Sequence, residues 1–275
     1  LSKYVIPPIS PNELHAGAHH LKEQLLRMGI TAVQDATPTN SSFDVEFWYS
    51  RIKNNWPITI LLMADHERHD NIAYTIKREV PKHEQNKLQL GPIKVVMESH
   101  PQLYPDIDKL IKIAVTASSK KIPIAVHAVN PEMIWAALEA FKHSIMNVPS
   151  SNIRHRIEHL SLCPNVFLDD ISKSRAIVVT NPSFIYEHGE RYLLNVDKTE
   201  HPSLYRLNSL YTSGIPVAAG TDAPVASINP WVGIVAACNR ETSLGKKIAE
   251  HEKLNRWQAL ELYTSGAAFA AGWKN

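Results

Sequence analysis

With 275 residues, 44% of them hydrophobic, the chain can bury a core large enough for one α/β barrel or two smaller domains. Lysine and arginine total 29 against 27 aspartates and glutamates, and this net charge of +2, without a basic run, does not indicate a nucleic-acid or membrane partner. Two cysteines in apolar surroundings, Cys163 and Cys238, favour a reducing, cytoplasmic compartment, and the sequence has neither a membrane-spanning apolar run nor a signal-peptide pattern.

The first predicted helix has a clear start and a clear end. Ser10 is a good N-cap, Pro11 suits the first helical position, and Glu13 can return to the cap. Gly29 ends the helix, which therefore covers residues 11–28. The predicted strands are 30–35, 58–63, 93–98, 122–129, 154–160, 176–180 and 215–221, and the further helices are 43–55, 71–80, 106–119, 131–144, 202–212, 230–244 and 256–271.

This alternation of apolar strands and helices predicts a parallel sheet covered on both faces. Seven strands are one fewer than a (β/α)8 TIM-type barrel requires, so we expect such a barrel without its first strand. An open doubly wound sheet is the alternative, but no glycine-rich phosphate turn follows any strand. Because the chain starts at Leu1 and stops directly after a predicted helix, we expect residues 1–275 to be one domain cropped at both ends.

Residues 154–160, Arg-His-Arg-Ile-Glu-His-Leu, can be interpreted in two ways. As a helix they match the His-x-x-Glu-His pattern of zinc peptidases. As a strand they point His155 and His159 towards one face, and Arg156 and Glu158 towards the other. A turn cluster before the segment and a proline after it leave room only for a strand. We therefore predict a strand with His159 at its carboxyl end facing inward, and a buried hydrogen-bonding role for His155.

Four side chains with metal-ligand chemistry lie at or near predicted strand ends: Lys94, His127, His159 and Asp222. The first three are separated by about 30 residues each, the length of one βα unit, which predicts that they share one rim of the barrel. Two neutral imidazoles and a carboxylate suit zinc or a similar divalent metal, with one or two ions. Asp222 could both bind the metal and act as the catalytic general base.

The strand motifs resemble those of a known family. They are Ile-Lys-Val-Val-Met-Glu at 93–98, Ala-Val-His-Ala at 125–128, Arg-His-Arg-Ile-Glu-His at 154–159, and Ala-Gly-Thr-Asp-Ala-Pro-Val at 219–225. In this order they resemble the amidohydrolase superfamily, and most closely amidohydrolase family 3, which includes N-substituted formamide deformylase-like enzymes. The resemblance implies a metal-dependent hydrolase.

The resemblance also implies a role for each matching residue. His127 and His159 would be metal ligands of the fifth and sixth strands, and Asp222 would be the ligand and base of the eighth. Lys94 would be the fourth-strand lysine, which is often carboxylated and bridges two metals. The chain departs from the family at one motif: it contains no His-x-His, which family members carry on the first strand. The family's terminal β-sandwich is also missing, and cropping would explain both.

We predict substrate contacts for Glu98, Arg191 and Tyr192. Glu98 shares the strand parity of Lys94, and could pair with it or replace it as a ligand. Residues 180–192 form a predicted substrate cover with Gly189 as its hinge, although a structural loop anchored by aromatic residues explains them equally well.

The sequence thus predicts a hydrolase that cleaves an amide-like, non-peptide C–N bond of a small-molecule substrate. An ester, lactone or cyclic amidine hydrolase with the same site is one alternative. A non-catalytic small-molecule-binding barrel is another. Oligomeric state, including a homo-oligomer, is left open.

Overall fold

A computed structural model describes residues 9–150 and 152–273 as strands alternating with helices. The strands are β1 Ala32–Asp35, β2 Thr59–Ala64, β3 Leu88–Val95, β4 Ile124–Ala128, β5 Arg156–His159, β6 Ile177–Thr180 and β7 Val217–Ala219. The helices are α1 Pro11–Arg27, α2 Ser42–Lys53, α3 His69–Glu79, α4 Ile107–Ser119, α5 Pro131–Asn147, α6 Leu168–Ser174, α7 Ser183–Asn195, α8 Asn208–Thr212, α9 Pro230–Asn239, α10 Arg256–Tyr263 and α11 Ser265–Ala270. In the described ranges, no helix has the length and apolar character that crossing a bilayer requires.

All seven strands pair in parallel and in chain order, from β1 to β7, which confirms the predicted parallel sheet. Within the described ranges β1 pairs only with β2 and β7 only with β6, so both ends of the sheet are edges. The half-exposed residues of β1 agree with an edge position. The architecture is thus a seven-stranded α/β sheet.

A side-chain contact across the interior shows that this sheet is strongly curled. Arg156 at the start of β5 donates a hydrogen bond of 2.6 Å from Nη1 to Oε1 of Gln34 on β1. Four strand spacings separate β1 from β5, which in a flat sheet would hold them about 19 Å apart. The contact is possible only because the sheet bends round towards a barrel.

Local sequence explains where several helices begin. The predicted capping box of α1 is present, with Glu13 accepting from Ser10 and Ser10 accepting from the backbone N–H of Glu13. Asp106, Asn130, Asn229 and Asn255 cap α4, α5, α9 and α10 with their side chains. These side-chain caps determine where the four helices begin.

The sheet has a large outer core and a small inner one. Ile93, Val126, Ile157 and Val178 belong to the outer core, packed with residues of α4 and α5. The inner face carries smaller clusters, such as Leu61, Met63 and Ala125, and Ile177, Ala218 and Ala270. Helix α11 packs closely against the end of the sheet at Gly266. A Cβ at this position would lie only 2.6 Å from the carbonyl oxygen of Val217.

The predicted parity of β5 is wrong. His155 faces the helices, where its ring stacks on Phe141 of α5 at 4.8 Å. Arg156 and Glu158 face the interior, as the contact of Arg156 with Gln34 shows. The prediction assumed that His159 continues the strand alternation, but His159 has φ +71° and leaves the strand conformation. Predicting the faces of the preceding residues from an inward-facing His159 therefore placed them on the wrong side of the sheet.

Other predicted boundaries also differ. Strand β3 starts earlier than predicted and ends at Val95, before Glu98. Residues predicted as a cover loop form helix α7, and the predicted helix 202–212 is a short 3-10 turn, His201–Ser203, followed by α8. The predicted helix 256–271 is interrupted at Thr264, where φ −118° and ψ −97° separate α10 from α11.

Candidate metal centre

Two of the predicted ligands, His127 and His159, lie side by side at the carboxyl end of the sheet. Their ring centroids are 4.6 Å apart and their planes make an angle of 70°. The strand register places His127 opposite Glu158 and Ala128 opposite His159, so the two rings come from adjacent strand ends. The parallel sheet therefore unites them, as the sequence predicted.

The backbone at the end of β5 turns the His159 ring towards that of His127. His159 has φ +71° and Leu160 has φ +48°, a left-handed conformation that non-glycine residues seldom adopt. The carbonyl oxygen of His159 accepts a hydrogen bond of 2.8 Å from the Thr180 hydroxyl. Leu160 packs in the outer core. Packing and hydrogen bonding on both sides hold the strained turn in place.

Asn181 links His159 to the end of β7. Its Oδ1 lies 2.7 Å from Nδ1 of His159, and its Nδ2 donates to the carbonyl oxygen of Gly220 at 3.0 Å. Asn181 is buried directly after β6. Asn181 was not among the predicted site residues, because an Asn-Pro pair after a strand is typical of a turn.

Burial and neighbouring positive charge keep the His127 imidazole neutral. The pKa of His127 is lowered to about 4, first by burial and then by the charges of His159 and Lys94, while Glu158 acts in the opposite direction. At neutral pH the His127 ring is therefore uncharged, with a proton on one nitrogen and a lone pair on the other that is available to a metal ion.

Lys94, the penultimate residue of β3, is buried. Burial lowers the pKa of the Lys94 ammonium group, and Arg156 acts in the same direction, whereas Glu158 and Asp222 raise it. The net shift is downward, which increases the fraction of neutral amine. The charge of Lys94 lowers the pKa of His127, and the strand register places Lys94 opposite Ala125 on the neighbouring strand β4, two residues before His127.

Arg156 and Glu158, which the predicted strand parity placed on the outer face, form an ion pair on the inner face. Arg156 donates to both carboxylate oxygens of Glu158, at 2.7 Å and 3.2 Å, and both side chains are buried. Burial raises the pKa of Glu158, but Arg156, Lys94 and His159 outweigh it and the net shift is downward. Glu158 therefore places a negative charge next to Lys94. Lys94 and His127 were predicted to face inward, and His127 lies opposite Glu158 in the strand register. Aligning the strands by these inward residues could therefore have shown that Glu158 also faces inward.

Asp222 lies in the exposed loop after β7 and also has a left-handed backbone, with φ +56°. Its charge reaches Lys94, since Asp222 raises the pKa of the lysine. Across residues 9–150 and 152–273, no three His, Cys, Asp or Glu side chains are arranged to hold a metal ion. The two imidazoles therefore form the compact part of the candidate site, and Asp222 is connected to it through its effect on the pKa of Lys94.

Helix α7 holds the loop that carries Asp222. Both carboxylate oxygens of Glu187 accept from the backbone N–H of Ser227, at 2.9 Å and 3.1 Å. Nε2 of His188 lies 3.2 Å from the carbonyl oxygen of Val225 and can donate to it. Adjacent residues of α7 therefore anchor two points of the loop downstream of Asp222.

The three residues predicted to contact substrate lie in two places: Glu98 follows β3, and Arg191 and Tyr192 are part of α7. Glu98 is exposed beyond β3, and its backbone pairs with that of Tyr104. The Tyr192 hydroxyl is 2.8 Å from that of Tyr205, and the Arg191 guanidinium lies 5.7 Å from the centre of the Tyr192 ring. These contacts stabilise α7, and the substrate roles of all three residues stay predictions.

A large cleft lies at the opposite end of the sheet. It has a volume of about 880 Å³ and reaches the amino-terminal residues Arg156 of β5 and Ile177 of β6. Its walls are mainly apolar, including Leu90, Phe269 and Trp273. The histidine pair is at the carboxyl ends, where parallel α/β folds place their reactive groups, so this cleft is separate from the candidate centre.

The donor chemistry at the carboxyl end fits a divalent metal. His127 is a neutral nitrogen donor next to a second imidazole, and zinc favours such nitrogen ligands. Lys94, with its lowered pKa, and the carboxylate of Asp222 supply further candidate donors nearby. His127 and His159 are thus the residues best placed to hold an ion.

Comparison with known proteins gives matches over most of the chain. The profile of the amidohydrolase family matches residues 4–274. Amidohydrolase YtcJ of Bacillus subtilis (strain 168) is 27% identical over 167 residues, covering 59% of this chain and 31% of that protein. N-substituted formamide deformylase of Arthrobacter pascens is 25% identical over 161 residues, covering 58% and 30%. The aligned region is about a third of each relative's length.

A solved structure shares the fold. An uncharacterized metal-dependent hydrolase from Pyrococcus horikoshii OT3 superposes with a TM-score of 0.76 at 19% identity, covering 96% of this chain and 56% of that protein. At this identity the likeness establishes the fold alone. The curled seven-stranded sheet is therefore an arrangement also found within a larger protein.

Proposed function

Because this chain belongs to amidohydrolase family 3, we propose that it forms the metal-binding part of a hydrolase that cleaves an amide-like C–N bond. The observation that carries the proposal is the pair of adjacent imidazoles, 4.6 Å apart, at the carboxyl end of a parallel sheet. The proposal also uses the buried Lys94 of β3 and the Asp222 carboxylate on the loop after β7. Family membership and this grouping support the same chemistry.

In this proposal His127 and His159 hold a divalent ion, zinc or a similar metal. Such an ion, when bound, polarises the substrate carbonyl and acidifies water. The pKa of His127, near 4, keeps its ring in the neutral form that ligation requires. Lys94 contributes through its lowered pKa, because a neutral amine can react with carbon dioxide to give an anionic carbamate and a proton.

Asp222 acts as the general base and then as the acid. Its exposed carboxylate accepts the proton of the attacking water while the new C–O bond forms at the substrate carbonyl. It then returns the proton to the nitrogen as the C–N bond breaks. The loop anchors from α7 restrict where this carboxylate can lie.

Asp222→Asn tests the proposal, because an amide keeps an oxygen ligand but cannot take the proton. We expect the full-length variant to retain most of its zinc, measured by elemental analysis, and to lose at least about 100-fold in hydrolysis. The assay panel contains N-formyl amines, esters, lactones and cyclic amidines, which separates the C–N assignment from its alternatives. Asp169→Asn, on exposed α6, is the matched control. An unchanged rate in Asp222→Asn would remove the proposed base.

A further inference from the structure

The side chain of Asn181 connects three strand ends, and its two hydrogen bonds have a chemical consequence for His159. Asn181 follows β6 directly and is 3% exposed. On one side it meets Gly220 after β7, and on the other His159 at the end of β5. It is not one of the ligands or bases assigned above.

The contact with Gly220 fixes the orientation of the amide. A backbone carbonyl oxygen can only accept, so the group 3.0 Å from it must be the Nδ2 donor of Asn181. The amide oxygen consequently points towards His159, where it lies 2.7 Å from Nδ1. The reverse orientation would bring two acceptor oxygens together at Gly220.

An amide oxygen also only accepts, so Nδ1 of His159 must carry a proton. In a neutral imidazole the other nitrogen, Nε2, then holds the free lone pair. We propose that Asn181 is a positioning residue that locks His159 in its Nδ1–H tautomer and so presents Nε2 as the donor to a divalent ion. The metal part of this inference rests on the proposed function.

His155 shows that the same strand region also produces the opposite tautomer. Its Nδ1 accepts from the backbone N–H of Ile124 at 3.2 Å, so the proton is on Nε2. Nε2 lies 3.0 Å from the hydroxyl of Ser144 and 3.2 Å from that of Ser118. Both nitrogens of His155 are thus satisfied inside the protein, whereas Asn181 engages only one nitrogen of His159.

The tautomers can be measured without metal. In the full chain labelled with 15N-histidine, long-range 1H–15N NMR at neutral pH distinguishes a protonated Nδ1 from a protonated Nε2. We expect Nδ1–H for His159 and Nε2–H for His155 in the same spectrum. Finding the proton of His159 on Nε2 would overturn the proposal, independently of whether the protein binds metal or catalyses any reaction.

Substitution of Asn181 tests its effect on metal binding. Asn181→Leu removes the acceptor at similar volume, so we expect His159 to lose its Nδ1–H preference and zinc to bind about 10–100-fold more weakly in a calorimetric titration. Asn181→Asp loses the donor to Gly220 but keeps an acceptor oxygen for His159, so the Nδ1–H signal of His159 should be retained. Asn40→Leu is the control, because Asn40 is another buried asparagine that donates to a strand-end carbonyl, that of Met63.

The outcomes separate this inference from the proposed function. An unchanged His159 tautomer in Asn181→Leu, or unchanged zinc affinity despite a changed tautomer, overturns the positioning role. Equal weakening by Asn40→Leu would do the same, since it would indicate a general loss of packing. Wild-type protein with the expected tautomers but without zinc binding would instead contradict the proposed function.

Discussion

At the scale of single residues, His155 and His159 show how position in a strand decides what a histidine can do. His155 is satisfied by a backbone N–H, two hydroxyls and the ring of Phe141. His159, where the strand stops, turns its ring towards His127 instead. The sequence predicted the buried hydrogen-bonding role of His155 correctly. The sequence did not show that His155 faces the helices, because the positive φ of His159 breaks the alternation from which its face was predicted.

The burial of His155 predicts that the free energy of unfolding decreases at acidic pH. Burial lowers the pKa of His155 to about 4 from an ordinary 6.5, so between these pH values the unfolded chain binds the extra proton. The free energy of unfolding contributed by His155 is therefore complete above pH 6.5 and is lost as the pH falls towards 4. The loss amounts to about 3 kcal/mol, with a slope of at most about 1.4 kcal/mol per pH unit.

His155→Gln removes this titration, so we expect a smaller pH dependence of unfolding between pH 6.5 and 4 than in the wild type. Urea denaturation followed by circular dichroism across this range measures the slope. His19→Gln, on the exposed face of α1, is the matched control and should keep the wild-type slope. Identical slopes in all three proteins would contradict the assignment.

At the scale of elements, α7 differs most from its predicted form. Aromatic residues and Gly189 suggested that residues 180–192 form a hinged cover, but from Ser183 onward the segment is a continuous helix packed against neighbouring loops. A Cβ at Gly189 would overlap the methyl group of Thr242 and lie 3.1 Å from Ile248. Glycine is present there for close packing, and a sequence pattern cannot distinguish that need from a hinge.

Substitution of Gly189 distinguishes packing from hinge motion. Because the added methyl group overlaps Thr242, we expect Gly189→Ala to lower the free energy of unfolding by about 1–3 kcal/mol. Gly17→Ala in exposed α1 meets no atom within 4 Å and should stabilise by about 0.5–1 kcal/mol. Chemical denaturation compares the two helical glycines, and equal stabilisation by both alanines would refute the packing explanation.

Helix α7 also provides the support of the Asp222 loop. Glu187→Ala removes the carboxylate that binds the Ser227 N–H. We expect a fall in kcat of about 10-fold with zinc content unchanged, because the loop loses an anchor but the histidine pair does not. Glu190→Ala, which breaks contacts of the same helix with Thr242 and Lys246, is the control. Equal rates in both variants would show that the anchor is irrelevant to turnover.

At the scale of the whole molecule, the order of the strands was predictable from the sequence, whereas the side-chain contacts across the interior of the curled sheet were not. Strand–helix alternation indicated parallel strands, and the expected barrel placed them in chain order, which brings His127 next to His159. The position of Arg156 depended on the curl of the sheet. Curvature brings Arg156 to Gln34, across four strand spacings, and no local pattern encodes that distance.

Arg156 therefore links parts of the chain that lie far apart in sequence. It binds Glu158 on its own strand, Gln34 on β1 and the carbonyl oxygen of Ala270 at the end of α11. Removing it leaves the Glu158 carboxylate buried without its guanidinium partner. A buried charge that loses its partner typically costs about 3–5 kcal/mol.

Arg156→Met should consequently lower the free energy of unfolding by about 3–5 kcal/mol. Glu158→Gln in the same protein removes the uncompensated charge, so we expect the double variant to be more stable than Arg156→Met alone. Urea denaturation of the wild type, both single variants and the double variant gives the coupling energy between the two side chains. A coupling energy near zero would mean that Arg156 stabilises the molecule through Gln34 and Ala270 alone, and not through the ion pair beneath the histidines.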